Sequence, residues 1–191
     1  MYKKWLGAAI GALFLLSMPF YARFEVKWLR VGGNHLKMAR NYLKIGDNYI
    51  RMSRKYMHMK DINRSEILRC VGSACYNLDN SYSHLKMAHL YFEGSNLYPS
   101  NFLSDSEIYL ERSRDYQKEA MDCFFARDQS EIFDNLIASR AFLYESYNSL
   151  KRGHDILTLI GFIALGISIL IAGCLVIFGR SRVSSLTGFF R

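Results

Sequence analysis

Proline is almost absent: Pro19 and Pro99 are the only two in 191 residues. Long helices can therefore run uninterrupted, since proline is the residue that breaks them most strongly. The four cysteines, Cys70, Cys75, Cys123 and Cys174, show no CxxC or CxxCH spacing, which excludes zinc ribbons and c-type haem attachment. There is no GxSxG, no glycine-rich phosphate loop, no HExxH and no ExxH pair. Serine hydrolase, P-loop nucleotide, zincin and carboxylate-bridged metal chemistries all need one of these, so the chain is read as non-enzymatic and without a cofactor.

Charge is absent from two stretches. Residues 156–178, ILTLIGFIALGISILIAGCLVIF, carry none. At ~1.5 Å rise per residue such a run can cross the ~30 Å hydrocarbon layer as a transmembrane helix. The apolar run from Trp5 to Ala22 fits two readings, an uncleaved anchor or a signal peptide cut near Ala22. Phe20 suits the cleavage badly and the run is long, which favours an anchor over residues 1–23. Neither run contains Asp, Glu, Lys, Arg or His, so a proton path or ion channel is not expected.

What the sequence does hold is a repeat. NHLKMAR NYLKIGD NYIRMSR KYMHMKD, residues 34–61, is four heptads. The second position is His35, Tyr42, Tyr49, Tyr56; the third Leu36, Leu43, Ile50, Met57; the fifth Met38, Ile45, Met52, Met59; the sixth begins Ala39, Gly46, Ser53. Positions two, five and six lie three and four apart, so Met38, Tyr42, Ile45, Gly46, Tyr49, Met52, Ser53 and Tyr56 are expected to form one stripe against a partner helix. A strict seven-residue period holds that stripe in register through gentle supercoiling. HLKMA recurs at residues 84–88, with Tyr91 standing where Tyr42 stands in the first copy.

Capping boxes at Asn63 with Glu66, Ser104 with Glu107, and Asp128 with Glu131 mark helix starts. With the loop GSNLYPSN (94–101) they divide the middle of the chain into helices at about 34–60, 64–93, 105–127 and 129–152. The predicted fold is all-α: a membrane-anchored antiparallel four-helix bundle, residues 24–155, flanked by transmembrane helices at 1–23 and 156–178 and followed by a basic tail, 179–191. An even number of helices returns the chain to the side it left.

The formal net charge of +8 is explained by basic residues beside the two apolar runs, not by nucleic acid, which is not an expected partner. Short basic ends suit the cytoplasm, which places the bundle outside an inner or plasma membrane. The first bundle helix is basic apart from Asp47, whereas the third and the start of the fourth are rich in acid, including Glu107, Glu111, Asp115, Glu119 and Asp122. Opposite fields favour side-by-side packing, or, if those helices are diagonal, docking of a neighbouring chain. Gly7 and Gly11, and Ala164, Ser168 and Ala172, form small-residue rows suited to packing against other membrane helices.

His35, His58, His84, His89 and His154 share no ligand spacing, so no metal site is expected, and the methionines beside His58 read as core filler. Cys70 and Cys123 fall at similar heights in their helices, which allows a disulfide between them. These features together lead to an expected structural or accessory subunit of a membrane complex. Its expected partners are lipid and other membrane-protein subunits or further copies of itself. In layout the chain also resembles the four-helix extracytoplasmic sensor of bacterial chemoreceptors, on architecture alone. That resemblance implies the alternative of a ligand-binding module acting through a separate signalling partner.

Overall fold

A computed structural model of the chain describes the backbone of residues 2–57, 64–126 and 129–187 and the side chains of 27–57, 64–124, 131–168 and 170. The described elements are four helices: α1 (Tyr2–Met57), α2 (Arg64–Glu93), α3 (Ser100–Ala126) and α4 (Gln129–Thr187). The chain divides into two units, Met1–His154 and Asp155–Arg191.

α2 lies where the sequence puts it, and the other helices are longer than expected. α1 does not start at residue 34 but runs through Gly32 and Gly33. A β-carbon on Gly32 would collide with the Phe92 ring, and one on Gly33 would sit 2.9 Å from Nε2 of His154. Packing here offsets the helix cost of glycine, about 1 kcal/mol each relative to alanine. α3 starts at Ser100, so the expected Ser104–Glu107 box lies within the helix; Phe102 N–H donates to the Pro99 carbonyl at 3.2 Å across its first turn. Asn63 and Asp128, which head the other two boxes, lie outside the described residues.

The core of Met1–His154 follows one rule in all helices. Leu36, Ala39, Leu43, Gly46, Ile50 and Ser53 of α1 are buried at alternating steps of three and four. So are Val71, Ala74, Leu78, Ser81, Leu85, Ala88 and Phe92 of α2, and Ile132, Leu136, Ser139, Leu143, Ser146 and Leu150 of α4. Large and small residues alternate along each stripe, so helices approach closely at the small positions while each leucine buried between them contributes roughly 1.5–3 kcal/mol.

The expected α1 stripe is thereby split. Positions three and six of the heptad form the core, so Gly46 and Ser53 are inside, whereas Met38, Ile45 and Met52 are 48%, 42% and 40% exposed. Tyr42, Tyr49 and Tyr56 are half-buried at its margin. Positions two and five repeat at the same three-four spacing, so spacing does not choose the face; α1 buries the face whose sixth positions are small, Ala39, Gly46 and Ser53, where α2 approaches closely.

Named contacts fix which helices are neighbours. Gly33 faces His154 and Asp47 faces Arg140, steps of equal length in opposite directions, so α1 and α4 are antiparallel. The Ser81 hydroxyl donates to the Ala39 carbonyl at 3.1 Å between α2 and α1. Ser106 meets Ser146 at 2.9 Å and, one heptad on, Ser113 meets Ser139 at 3.0 Å between α3 and α4. The Arg114 guanidinium of α3 lies 5.0 Å above the Tyr82 ring of α2. α1 and α3 are therefore diagonal, so the basic α1 lies beside α4 and not beside the acidic α3. One end of the bundle is closed by rings: Phe92 stacks on Tyr98 at 4.5 Å, and the Tyr98 hydroxyl donates to the Leu150 carbonyl at 2.5 Å.

Among the described residues no helix is long and apolar enough to cross a membrane. Within Asp155–Arg191 Leu157 is buried, whereas the described apolar side chains after it are exposed, among them Leu159 at 60%, Phe162 at 68% and Leu170 at 70%. Ala164 and Ser168 are exposed too, and the Ser168 hydroxyl donates back to the Ala164 carbonyl at 2.8 Å. The side chains of Gly7, Gly11 and Ala172 lie outside the described residues.

A candidate functional site at a histidine pair

The two copies of HLKMA meet. Leu36 and Ala39 from the first and Leu85 and Ala88 from the second are buried between α1 and α2, and this fixes which way the flanking histidines point. His35 and His84 place their Nδ1 atoms 3.0 Å apart, with ring centroids 5.2 Å apart.

Seven residues after each histidine comes a tyrosine, and in an antiparallel pair each tyrosine reaches the other copy's histidine. Tyr91 stacks on His35 at 5.4 Å and 15°, and Tyr42 stacks on His84 at 5.5 Å and 13°. The two halves are related by a local pseudo-two-fold axis through the histidine contact. Trp28 extends the column onto Tyr91 at 5.5 Å. The result is a continuous file of rings: Trp28, Tyr91, His35, His84, Tyr42.

A 3.0 Å Nδ1 contact needs one nitrogen to donate and the other to accept, so the pair holds one proton between the two atoms. Burial, and then the neighbouring His35, push the His84 pKa below its ordinary value. Met38 and Met87 stand three residues after the two histidines, on the same helical face as each, and are 48% and 39% exposed. Chemically this is a site for a proton or a soft ligand, held by neutral donors.

Other expected features fall elsewhere. Cys70 is buried in the core of α2 and no disulfide joins it to Cys123, whose sulfur instead meets Glu131 at 3.6 Å and Asn135 at 3.8 Å. The physical reason is that Cys123 turns toward α4, not toward the α2 core. A groove of about 620 Å³ between α2 and α3 is lined by Cys75, Tyr76, Arg114, Gln117 and Met121, among others. Burial pushes the Cys75 thiol up to about 11. Among the described residues no group of three His, Cys, Asp or Glu side chains could hold a metal.

Sequence spacing could not reveal the His35–His84 pair, because the two are 49 residues apart. The repeated pentapeptide with a tyrosine seven residues after each histidine was the signal available. Compared with known proteins, the chain matches no family model, and neither a curated protein nor a solved structure is significantly similar to it.

Proposed function

We propose that the chain is a non-enzymatic structural subunit of a membrane complex, in which the helical bundle docks other chains while the apolar ends hold it in the bilayer. One observation carries the docking: Met38, Ile45 and Met52 form an uncovered stripe on α1 at heptad spacing, bordered by half-buried tyrosines and by exposed Lys37, Lys44 and Arg51. A face that is apolar along its centre and basic along its border suits an acidic helix with an apolar stripe. Another membrane subunit could supply it, and so could the exposed acidic face of α3 in a second copy.

The membrane part of the reading is supported by the uncharged run at 156–178 and by the exposure of its described apolar side chains beyond Leu157. A helix apolar all round needs apolar surroundings, and lipid provides them. The basic residues beside the apolar runs, Lys3 and Lys4 at one and Arg180 and Arg182 at the other, support a bundle outside an inner or plasma membrane. The groove between α2 and α3 favours a second reading, a sensory module that binds a small molecule there.

The test is purification of the full chain in mild detergent, with mass spectrometry of co-eluting chains, for the native sequence and for Ile45→Glu with Met52→Glu. Stoichiometric companions or stable self-association, lost in the double variant, support docking through α1. A solitary chain, or companions retained by the variant, overturns it. A chain recovered in the soluble fraction without detergent overturns the anchoring.

A further inference from the structure

We propose that His35, Met38, His84 and Met87 form a binding site for a soft monovalent metal ion, copper(I) in a cell. Two imidazole nitrogens already face each other at 3.0 Å across α1 and α2. Four bonds of about 2.0 Å arranged tetrahedrally would set two ligand nitrogens roughly 3.3 Å apart, so the pair need open by only a few tenths of an ångström. The stacked rings of Tyr91 and Tyr42 hold both imidazoles in orientation while that happens.

The thioethers complete the set. Each methionine lies three residues after its histidine, about one turn along the same face. Ser81 contacts Ala39, and Gly46 packs against Leu78 with a built β-carbon 3.2 Å from Leu78 Cδ2; this register sets Met38 within a turn of His84 and Met87 within a turn of His35. At that height the methionines flank the histidine pair along the bundle, and both are half-exposed on flexible arms that can swing toward it.

The donor set selects the ion. It contains two imidazoles and two thioethers, all neutral. Hard dications favour carboxylate or carbonyl oxygen, and zinc favours thiolate; thioether with imidazole suits copper(I).

The experiment titrates the full chain in detergent with copper(I), under anaerobic reducing conditions, against a chromophoric copper(I) chelator. The expected result is one tightly held ion per chain. Met38→Leu with Met87→Leu, and separately His84→Gln, should each weaken binding by at least the ~10–100-fold that loss of an outer-sphere partner costs. The methionine pair is exposed and its replacements conserve volume, so that variant stays folded even if the histidine variant does not. Silver(I) titrated into protein with ¹⁵N-labelled histidine should shift the Nδ1 resonances of His35 and His84. Failure to compete with the chelator overturns the site, as does undiminished binding in the methionine variant, which would assign the ion to thiols. Ile45 and Met52, on which the docking test turns, lie outside the quartet, so the two readings fail separately.

Discussion

Asp47 of α1 and Arg140 of α4 form an ion pair across the bundle, and Arg51 one turn along α1 joins the same carboxylate. The Asp47 side chain is 8% exposed and that of Arg140 29%, whereas Arg51 is 73% exposed. Asp47, the one acid of α1 besides Glu25, thus selects α4 as its neighbour. Asp47→Asn leaves Arg140 half-buried without its counter-charge, and the expected loss is about 3 kcal/mol of bundle stability, the lower end for a broken buried pair. Removing both charges, Asp47→Leu with Arg140→Met, should recover most of it. Denaturant unfolding of the two variants checks this, and equal losses in both would deny the pair its role.

Buried serines offer a second test of the packing rule. Ser113 and Ser139 are wholly buried and 3.0 Å apart, so each hydroxyl satisfies the other between α3 and α4. Ser139→Ala strands the Ser113 hydroxyl in the core and is expected to cost roughly 1–3 kcal/mol. The double alanine variant should cost less than the sum of the single variants, because alanine fits the same small position and leaves nothing unpaired. A double-mutant cycle on thermal unfolding measures the difference, and strict additivity would contradict the contact.

At Gly32 the expectation is steric. An added β-carbon meets the Phe92 ring, which is itself fully buried and stacked on Tyr98. Gly32→Ala should destabilise the closed end of the bundle by about 1–3 kcal/mol in spite of alanine's better helix propensity. Phe92→Leu, which alone is destabilising, should cost less in the Gly32→Ala background. Gly72 is the control, with nothing near its β-position. Gly72→Ala should stabilise α2 by up to about 1 kcal/mol.

The helical period was readable in the sequence, and the face it buries was only partly so. Tyrosine and methionine in the heptads look like the core because they are large and apolar, whereas Ser81, Ser113 and Ser139 look like surface. Packing reverses part of that reading: closely approaching helices need small residues every seventh position, and a serine hydroxyl bonded to a carbonyl or another serine is at home there. The starts of α1 and α3 were illegible for a similar reason. Gly32 and Gly33 interrupt a helix by propensity but are required by Phe92 and His154, which lie far along the chain. The histidine pair depends on the same long-range register.

Cys75 lines the groove between α2 and α3, and burial holds its thiol up at about 11. The thiolate is the reactive form, so very little of it exists at neutral pH. Alkylation of Cys75 by iodoacetamide at pH 7.5 should be far slower in the folded chain than in the denatured one, with the folded rate still rising above pH 9. Peptide mapping reads out the modified site. Rapid labelling of Cys75 in the folded chain at pH 7.5 would show that the groove exposes the thiol to water.

Acid should loosen α1 from α2. The His84 pKa is held below its ordinary value of about 6.5 by burial and by His35, while the Tyr42 ring covers its other side. Between the lowered folded pKa and the unfolded one, the unfolded chain binds more protons, so stability there rises with pH. The contribution is fully present above about pH 6.5 and is lost as pH falls through the folded pKa of His84. Hydrogen exchange on the metal-free chain should therefore show the amides around residues 35–42 and 84–91 losing protection as pH falls below 6.5, after correction for the intrinsic exchange rate. His84→Gln, which cannot be protonated, should flatten that dependence. An unchanged profile in His84→Gln would place the sensitive group elsewhere.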